Sequence, residues 1–236
     1  TIRTRARMRT PPADAKDRSA MSVRYALYFI PEDGTALARL GDDWLTALPA
    51  DLTDAARVYG FHATLKAPFR LAPGKTEAQL RDECAALARQ SAAIVEVPPV
   101  LARLHGFYAL RPGRAAPALQ DLAATCVRRL DPFRAPLNER ELAKRLAAPL
   151  SDRQRNLLGQ WGYPYVFDEY RFHLTLTRRV GQAEVPTVEA LLRPLVAGAE
   201  AEPLGIASIC LMRQSDGDVF TLLQRFTLEG SCASSV

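Results

Sequence analysis

The chain contains only three histidines, and two of them occur in the same setting: His62-Ala63-Thr64-Leu65 and His173-Leu174-Thr175-Leu176. A phenylalanine precedes each, Phe61 and Phe172. On an extended strand His62, Thr64 and Lys66 share one face, while Phe61, Ala63, Leu65 and Ala67 share the other. In the second copy His173, Thr175 and Thr177 oppose Phe172, Leu174 and Leu176. Each strand thus carries an imidazole–hydroxyl stripe on an apolar backing, an arrangement packing alone does not need twice. Cleaving a phosphodiester requires a base for the attacking hydroxyl or water and an acid for the leaving oxygen. Two imidazoles titrating near 6.5 can hold opposite protonation states near neutral pH. His62 and His173 are therefore the candidate catalytic pair. The hydroxyls of Thr64 and Thr175 can donate to non-bridging phosphate oxygens, and Lys66 is a third candidate substrate contact, adding charge.

The elements that must position these residues repeat. An apolar run over 23–30, ended by Pro31, reads as a strand, followed by a short helical stretch around Trp44 and Leu45. The first motif lies on a strand over 59–69. Thr76-x-x-Gln79 is a capping box, and Leu80, Cys84, Leu87 and Ala88 recur at helical spacing behind it. Strands over 93–97 and 106–110 follow. The second motif lies on a strand over 172–177. A helix begins near Pro186, with Val188, Leu191, Leu192, Leu195 and Val196 on one stripe and a kink or early end expected at Pro194. Strands over 204–212 and 219–228 flank the hairpin chemistry of Ser215-Asp216-Gly217-Asp218. His62 precedes Phe107 by 45 residues and His173 precedes Phe220 by 47, so the order of histidine strand, helix, strand, strand reads as an internal duplication. The expected organisation is a basic tail at 1–20, an N-terminal lobe at 21–113, a helical connection at 114–160, a C-terminal lobe at 161–230 and a tail at 231–236. The connection shows a stripe of Leu119, Leu122, Cys126 and Leu130, and helix starts at Asn138-x-x-Glu141 and Ser151-x-x-Gln154. Its arginines, interspersed with acids, read as a solvated face.

Length and charge narrow the partners. The 236 residues suffice for one large domain or two fused lobes. The formal charge is +5, but residues 1–20 hold +4 of it and the remainder only +1, which disfavours a nucleic-acid partner. Pro11-Pro12 and the alternating arginines exclude a secretory signal, and the tail reads as a disordered extension or sequence upstream of a start at Met21. No apolar run is long enough for a membrane span. Cys84, Cys126, Cys210 and Cys232 are scattered, as expected of core thiols in a reducing cytoplasm. No ligand cluster has the spacing of a zinc site, and Gly-x-Ser-x-Gly, Walker and Rossmann motifs are absent. Neither a metal nor a cofactor is expected. His105 has no partner motif and reads as structural or surface; Tyr163 and Tyr165 either line the site or anchor the core.

On its paired His-x-Thr-Leu motifs the chain resembles the two-histidine (2H) phosphoesterase superfamily. The stretches YGFHATLKAPFRL and WGYPYVFDEYRFHLTLTRR look like the branch encoded in bacterial phosphonate-metabolism operons. The resemblance covers nearly all of 22–229. It implies an α+β, bilobal, pseudo-twofold fold with two antiparallel sheets facing a central cleft and helices outside. It also implies metal-independent opening of a cyclic phosphodiester, with His62 and His173 catalytic and Thr64 and Thr175 as phosphate ligands. The expected substrate is a small sugar or nucleotide cyclic phosphate, acted on by a monomer. An RNA-end-processing enzyme of the same chemistry and a non-catalytic phosphate-binding module are the alternatives.

Overall fold

A computed structural model describes residues 23–215 and 217–231, so the expectations for 1–20, Met21, Asp216 and Cys232 lie outside the described residues. The elements run β1 (Val23–Phe29), α1 (Ala36–Ala47), α2 (Ala50–Arg57), β2 (Ala63–Phe69), α3 (Glu77–Gln90), β3 (Ile94–Glu96), β4 (Pro99–Leu104) and β5 (Phe107–Pro112). They continue with α4 (Pro117–Leu130), α5 (Glu139–Leu146), α6 (Asp152–Trp161), β6 (Leu174–Arg179), α7 (Val185–Ala201), β7 (Leu204–Ile206), β8 (Ser208–Ser215) and β9 (Thr221–Thr227). Local signals set many of these boundaries. Thr76, Asn138 and Ser151 each form a reciprocal capping box at the start of α3, α5 and α6. The stripes of α3 and α4 are buried as expected. Helix α7 runs through Pro194 rather than ending there. Pro194 and Ala190 are both exposed, so water can satisfy the carbonyl that the missing N–H would have engaged.

The architecture is α+β with antiparallel sheets, as the sequence implies. One sheet has the order β2-β1-β8-β9, another β4-β5-β6, and β3 pairs with β7. This pairing corrects the contiguous lobes expected at 21–113 and 161–230, because both larger sheets take strands from both halves of the chain. The repeat is also phased differently. Its first unit is β1, helices, β2, α3, β3, β4; its second is β5, helices, β6, α7, β7, β8. Under a pseudo-twofold relation β2-β1-β8 corresponds to β6-β5-β4, each unit sending its last strand into the other's sheet. β9 is an added edge, and the antiparallel β3–β7 pair joins the units. Periodicity reveals a repeat but carries no information about which strand a given edge pairs with, since that is a long-range choice.

Two further departures are local. Residues 36–57 form two helices where only a short stretch around Trp44 was expected. The hairpin β4–β5 turns on His105 and Gly106, at φ 48° and 94°, a left-handed two-residue turn between the paired Leu104 and Phe107. His105 is exposed there, in keeping with a structural or surface role.

One hydrophobic core runs through both units, from Leu27, Phe29 and Leu65 to Tyr108, Leu110, Leu174 and Leu176. The motif strands thus each bury one face on the same core and turn the other away from it. Trp44 on α1 links them: its ring is fully buried, lies 5.6 Å from that of Phe61, and its Nε1–H donates to the carbonyl of Leu176 at 2.7 Å.

Candidate active site

Both histidines sit one residue before their strands, not within them. Each is held the same way. The Nδ1 of His62 bonds the carbonyl of Gly60 at 2.9 Å, and the Nδ1 of His173 bonds that of Arg171 at 2.7 Å. A carbonyl can only accept, so Nδ1 carries the proton and Nε2 is left as the reactive nitrogen in both rings. Gly60, at φ 69°, supplies the left-handed turn that brings its carbonyl back under the ring. The hydroxyl of Thr64 lies 3.3 Å from His62 Nε2. Tyr28 stacks on the His62 ring with centroids 3.9 Å apart, and Phe107 lies 5.6 Å from the His173 ring. Thr175 pairs across the ladder with Ala109 and is half-buried, on the same face as His173.

The two half-sites meet. The Tyr170 hydroxyl, three residues before His173, donates to the carbonyl of Thr64 at 2.9 Å, and Phe172 packs on Phe29 with centroids 5.9 Å apart. Burial pushes the His62 imidazole down from 6.5 to about 4; the Gly60 carbonyl opposes this, and charge on His173 adds to it. Burial also lowers His173, against the pull of the Arg171 carbonyl. Both rings are therefore neutral near pH 7. The unfolded chain binds these protons more tightly, so folding stability falls as pH drops below 6.5 towards 4.

Lys66 does not join them, which corrects its assignment as a substrate contact. On β2 Thr64 pairs with Tyr28 but Lys66 pairs with Leu27, so Leu65 is an extra residue in a β-bulge. The bulge reverses the alternation and turns Lys66 to the core side with Leu27. Its side chain is 4% exposed, and its ammonium donates to the Val127 carbonyl at 3.1 Å and to Asp131 at 3.4 Å. Desolvation lowers its pKa from 10.5 to about 8, with Asp131 opposing. It lines a cavity with Arg70, Glu141, Trp161 and Tyr163 that contains neither imidazole. A phosphate contact through a charged group is worth about 1.5–3 kcal/mol, or about 10–100-fold in affinity. Lys66→Met is expected to leave kcat/KM within about threefold and to flatten the rise in stability from pH 8 to 10.5. Paired kinetics and denaturation check this; a tenfold loss of kcat/KM in the folded variant returns Lys66 to the site.

β6 also bulges just after its motif, the pairing slipping between Ala109–Thr175 and Phe107–Arg179. There the buried Thr177 hydroxyl accepts from the Tyr108 N–H at 3.0 Å, replacing a ladder bond. Thr177 is consequently part of the sheet rather than of the imidazole face. Tyr28, Phe107, Tyr170 and Trp44 are the neighbours that sequence reasoning missed. None of the four left a signal of its own in the sequence, because their places beside the imidazoles depend on contacts between segments far apart in the chain. Among the described residues no three His, Cys, Asp or Glu side chains come together in a way that could hold a metal ion, and no helix is long and apolar enough to cross a membrane.

Known proteins resemble the chain in sequence and in fold. It is 38% identical to the ribose 1,5-bisphosphate phosphokinase PhnN of Janthinobacterium sp. (strain Marseille), over 90% of this chain and 52% of that protein. It is 36% identical to the protein of the same name from Laribacter hongkongensis (strain HLHK9), over 77% and 46% respectively. The chain thus spans about half the length of these curated relatives. Solved structures similar to it include TT0787 of Thermus thermophilus, with 16% identity, 89% of this chain and 100% of that one covered, and a TM-score of 0.49. E. coli LigT complexed with 3'-AMP is another, with 14% identity, 89% and 99% coverage, and a TM-score of 0.44. The model of the family described as "Protein of unknown function (DUF1045)" matches residues 64–221, from Thr64 through the whole second motif and more than half of the chain, and the chain belongs to that family.

Proposed function

We propose that this protein is a two-histidine phosphoesterase that opens a cyclic phosphodiester on a small sugar or nucleotide, without a metal. The observation that carries this reading is the matched pair of imidazoles, each presenting Nε2 and each fixed through Nδ1 to a carbonyl two residues back. One Nε2 takes a proton from water as the oxygen attacks phosphorus. The ring P–O bond breaks, and the other imidazole, protonated, gives its Nε2 proton to the leaving sugar oxygen, yielding a monoester and a hydroxyl. The hydroxyls of Thr64 and Thr175 donate to the non-bridging oxygens. The half-length match to proteins named for ribose 1,5-bisphosphate favours a sugar phosphate, because opening a cyclic phosphodiester on a pentose phosphate gives a pentose with two phosphates.

The pH profile follows from the imidazoles. The acid must be protonated while the base is neutral, and burial depresses both. The free enzyme holds its productive form between the two depressed values, so kcat/KM is expected to peak between about pH 4 and 6.5 and to fall on either side. The test is turnover of cyclic pentose and nucleotide phosphates across pH after exhaustive dialysis against a chelator. Retained turnover with an acid-side optimum supports the reading. Activity lost on chelation and restored by zinc or manganese overturns the metal-free mechanism. Turnover confined to RNA ends favours the RNA enzyme instead.

A further inference from the structure

Each unit reaches the other's histidine strand through one aromatic side chain. Among the described residues β2 and β6 each form an edge of their sheet, and an edge leaves main-chain groups without a strand partner. From the first unit, Trp44 donates to the Leu176 carbonyl on β6 at 2.7 Å. From the second, the Tyr170 hydroxyl donates to the Thr64 carbonyl on β2 at 2.9 Å. The two contacts differ in what they hold. Leu176 lies beyond its motif threonine, where the pairing of β6 slips. Thr64 is itself the motif threonine, with its hydroxyl 3.3 Å from His62 Nε2. The Tyr170 bond therefore acts on the main chain of the candidate site.

The other end of that bond is tied to the second imidazole. Arg171, next to Tyr170, supplies the carbonyl that holds His173 Nδ1 at 2.7 Å. The segment before it is fixed along its length. Phe167–Glu169 form a single 3₁₀ turn, closed by the Tyr170 N–H donating to the Phe167 carbonyl at 3.0 Å. The Gln120 side chain donates to the same carbonyl. The Arg171 guanidinium folds back onto the carbonyls of Asp168 and Tyr170, both at 2.7 Å. Tyr170 is 8% exposed and packs in the core shared by the units, and burial raises its pKa, keeping the hydroxyl a donor. One hydrogen bond thus joins the backbone that carries His62 and Thr64 to the backbone that anchors His173.

Displacement at phosphorus needs one Nε2 at the attacking oxygen and the other at the leaving oxygen of the same group. A misplacement of about 1 Å can cost about 10²-fold in rate. We propose that Tyr170 is a positioning residue for this reaction, setting His173 relative to His62 and Thr64 through its bond to the Thr64 carbonyl. This rests on the reading of the histidines as the reacting pair. It adds that a residue outside both motifs aligns the half-sites, acting through the main chain.

The test is Tyr170→Phe, which removes the hydroxyl and keeps the ring in the core, made alone and together with His173→Ala. Both proteins are checked for folding by circular dichroism and assayed on the cyclic pentose or nucleoside phosphate that the wild type turns over. Alone, Tyr170→Phe is expected to lower kcat about 10- to 100-fold and to leave KM within about threefold. With His173 already gone there is no second imidazole to align, so the same substitution should cost less than about threefold. A merely structural role would instead lower the active fraction by one factor in both backgrounds. An equal loss in both, a rise in KM with kcat kept, or full activity of Tyr170→Phe overturns the positioning role. The single histidine variants, measured alongside, separate the two readings. Wild-type turnover in them removes the reacting pair and this role together. Loss in them without loss in Tyr170→Phe removes the positioning role alone.

Discussion

His62→Ala and His173→Ala are each expected to fold and to lose about 10²–10⁴-fold in the chemical step, the usual contribution of a positioned acid or base. Both side chains lie at strand entrances and neither belongs to the main hydrophobic core, although Tyr28 stacks on His62 and Phe107 lies near His173. The loss should fall on kcat as well as kcat/KM, because proton transfer matters only in the transition state. The double variant should be little worse than either single one, since an acid without its base partner cannot complete the displacement. Single-turnover measurements on a cyclic phosphate, with circular dichroism as the control for folding, decide this. Wild-type turnover in either folded variant removes the pair from the mechanism. The pH profile separates the roles: with one imidazole gone, the limb that it supplied should disappear.

Trp44→Ala is expected to cost the largest amount of stability, about 3–5 kcal/mol from the cavity. The indole reaches both motifs, packing on Phe61 and donating to the Leu176 carbonyl at a place where the ladder to β5 is interrupted. Removing the donor leaves that buried carbonyl unpaired, a further cost of about 1–3 kcal/mol. The sum is comparable with the whole stability of a domain of this size, so the alanine variant is expected to be recovered largely unfolded. Trp44→Phe keeps most of the ring and loses only the N–H, and it isolates the hydrogen bond. Urea denaturation of Trp44→Phe should show a loss of about 1–3 kcal/mol. Stability equal to the wild type would mean that the indole serves packing alone.

The chemistry of this protein is written locally, and so it is legible in the sequence. Two histidines with hydroxyls two positions on, in a chain that has only one other histidine, identify the candidate site by residue type and spacing. The capping boxes at Thr76, Asn138 and Ser151 and the stripes of α3 and α4 are likewise short-range, because the groups that satisfy a helix end or build its apolar face lie within a turn or two of each other. Strand partners are a different matter. That β4 leaves its own unit to pair with β5, and that β8 does the same beside β1, depends on contacts between residues far apart in the chain, and a repeat read along the sequence assigns them to the wrong sheet. Lys66 shows the same limit at the scale of one side chain. Strict alternation sets it beside His62 and Thr64, but a single extra residue at Leu65, fixed only by pairing with β1, turns it into the core. Tyr28 owes its place to the same pairing of β1 with β2, and Trp44 owes its own to the packing of α1 against both motifs. Residue type and spacing are thus enough to single out the candidate reacting groups. What surrounds those groups is set only on folding, because register and burial are properties of the assembled sheets.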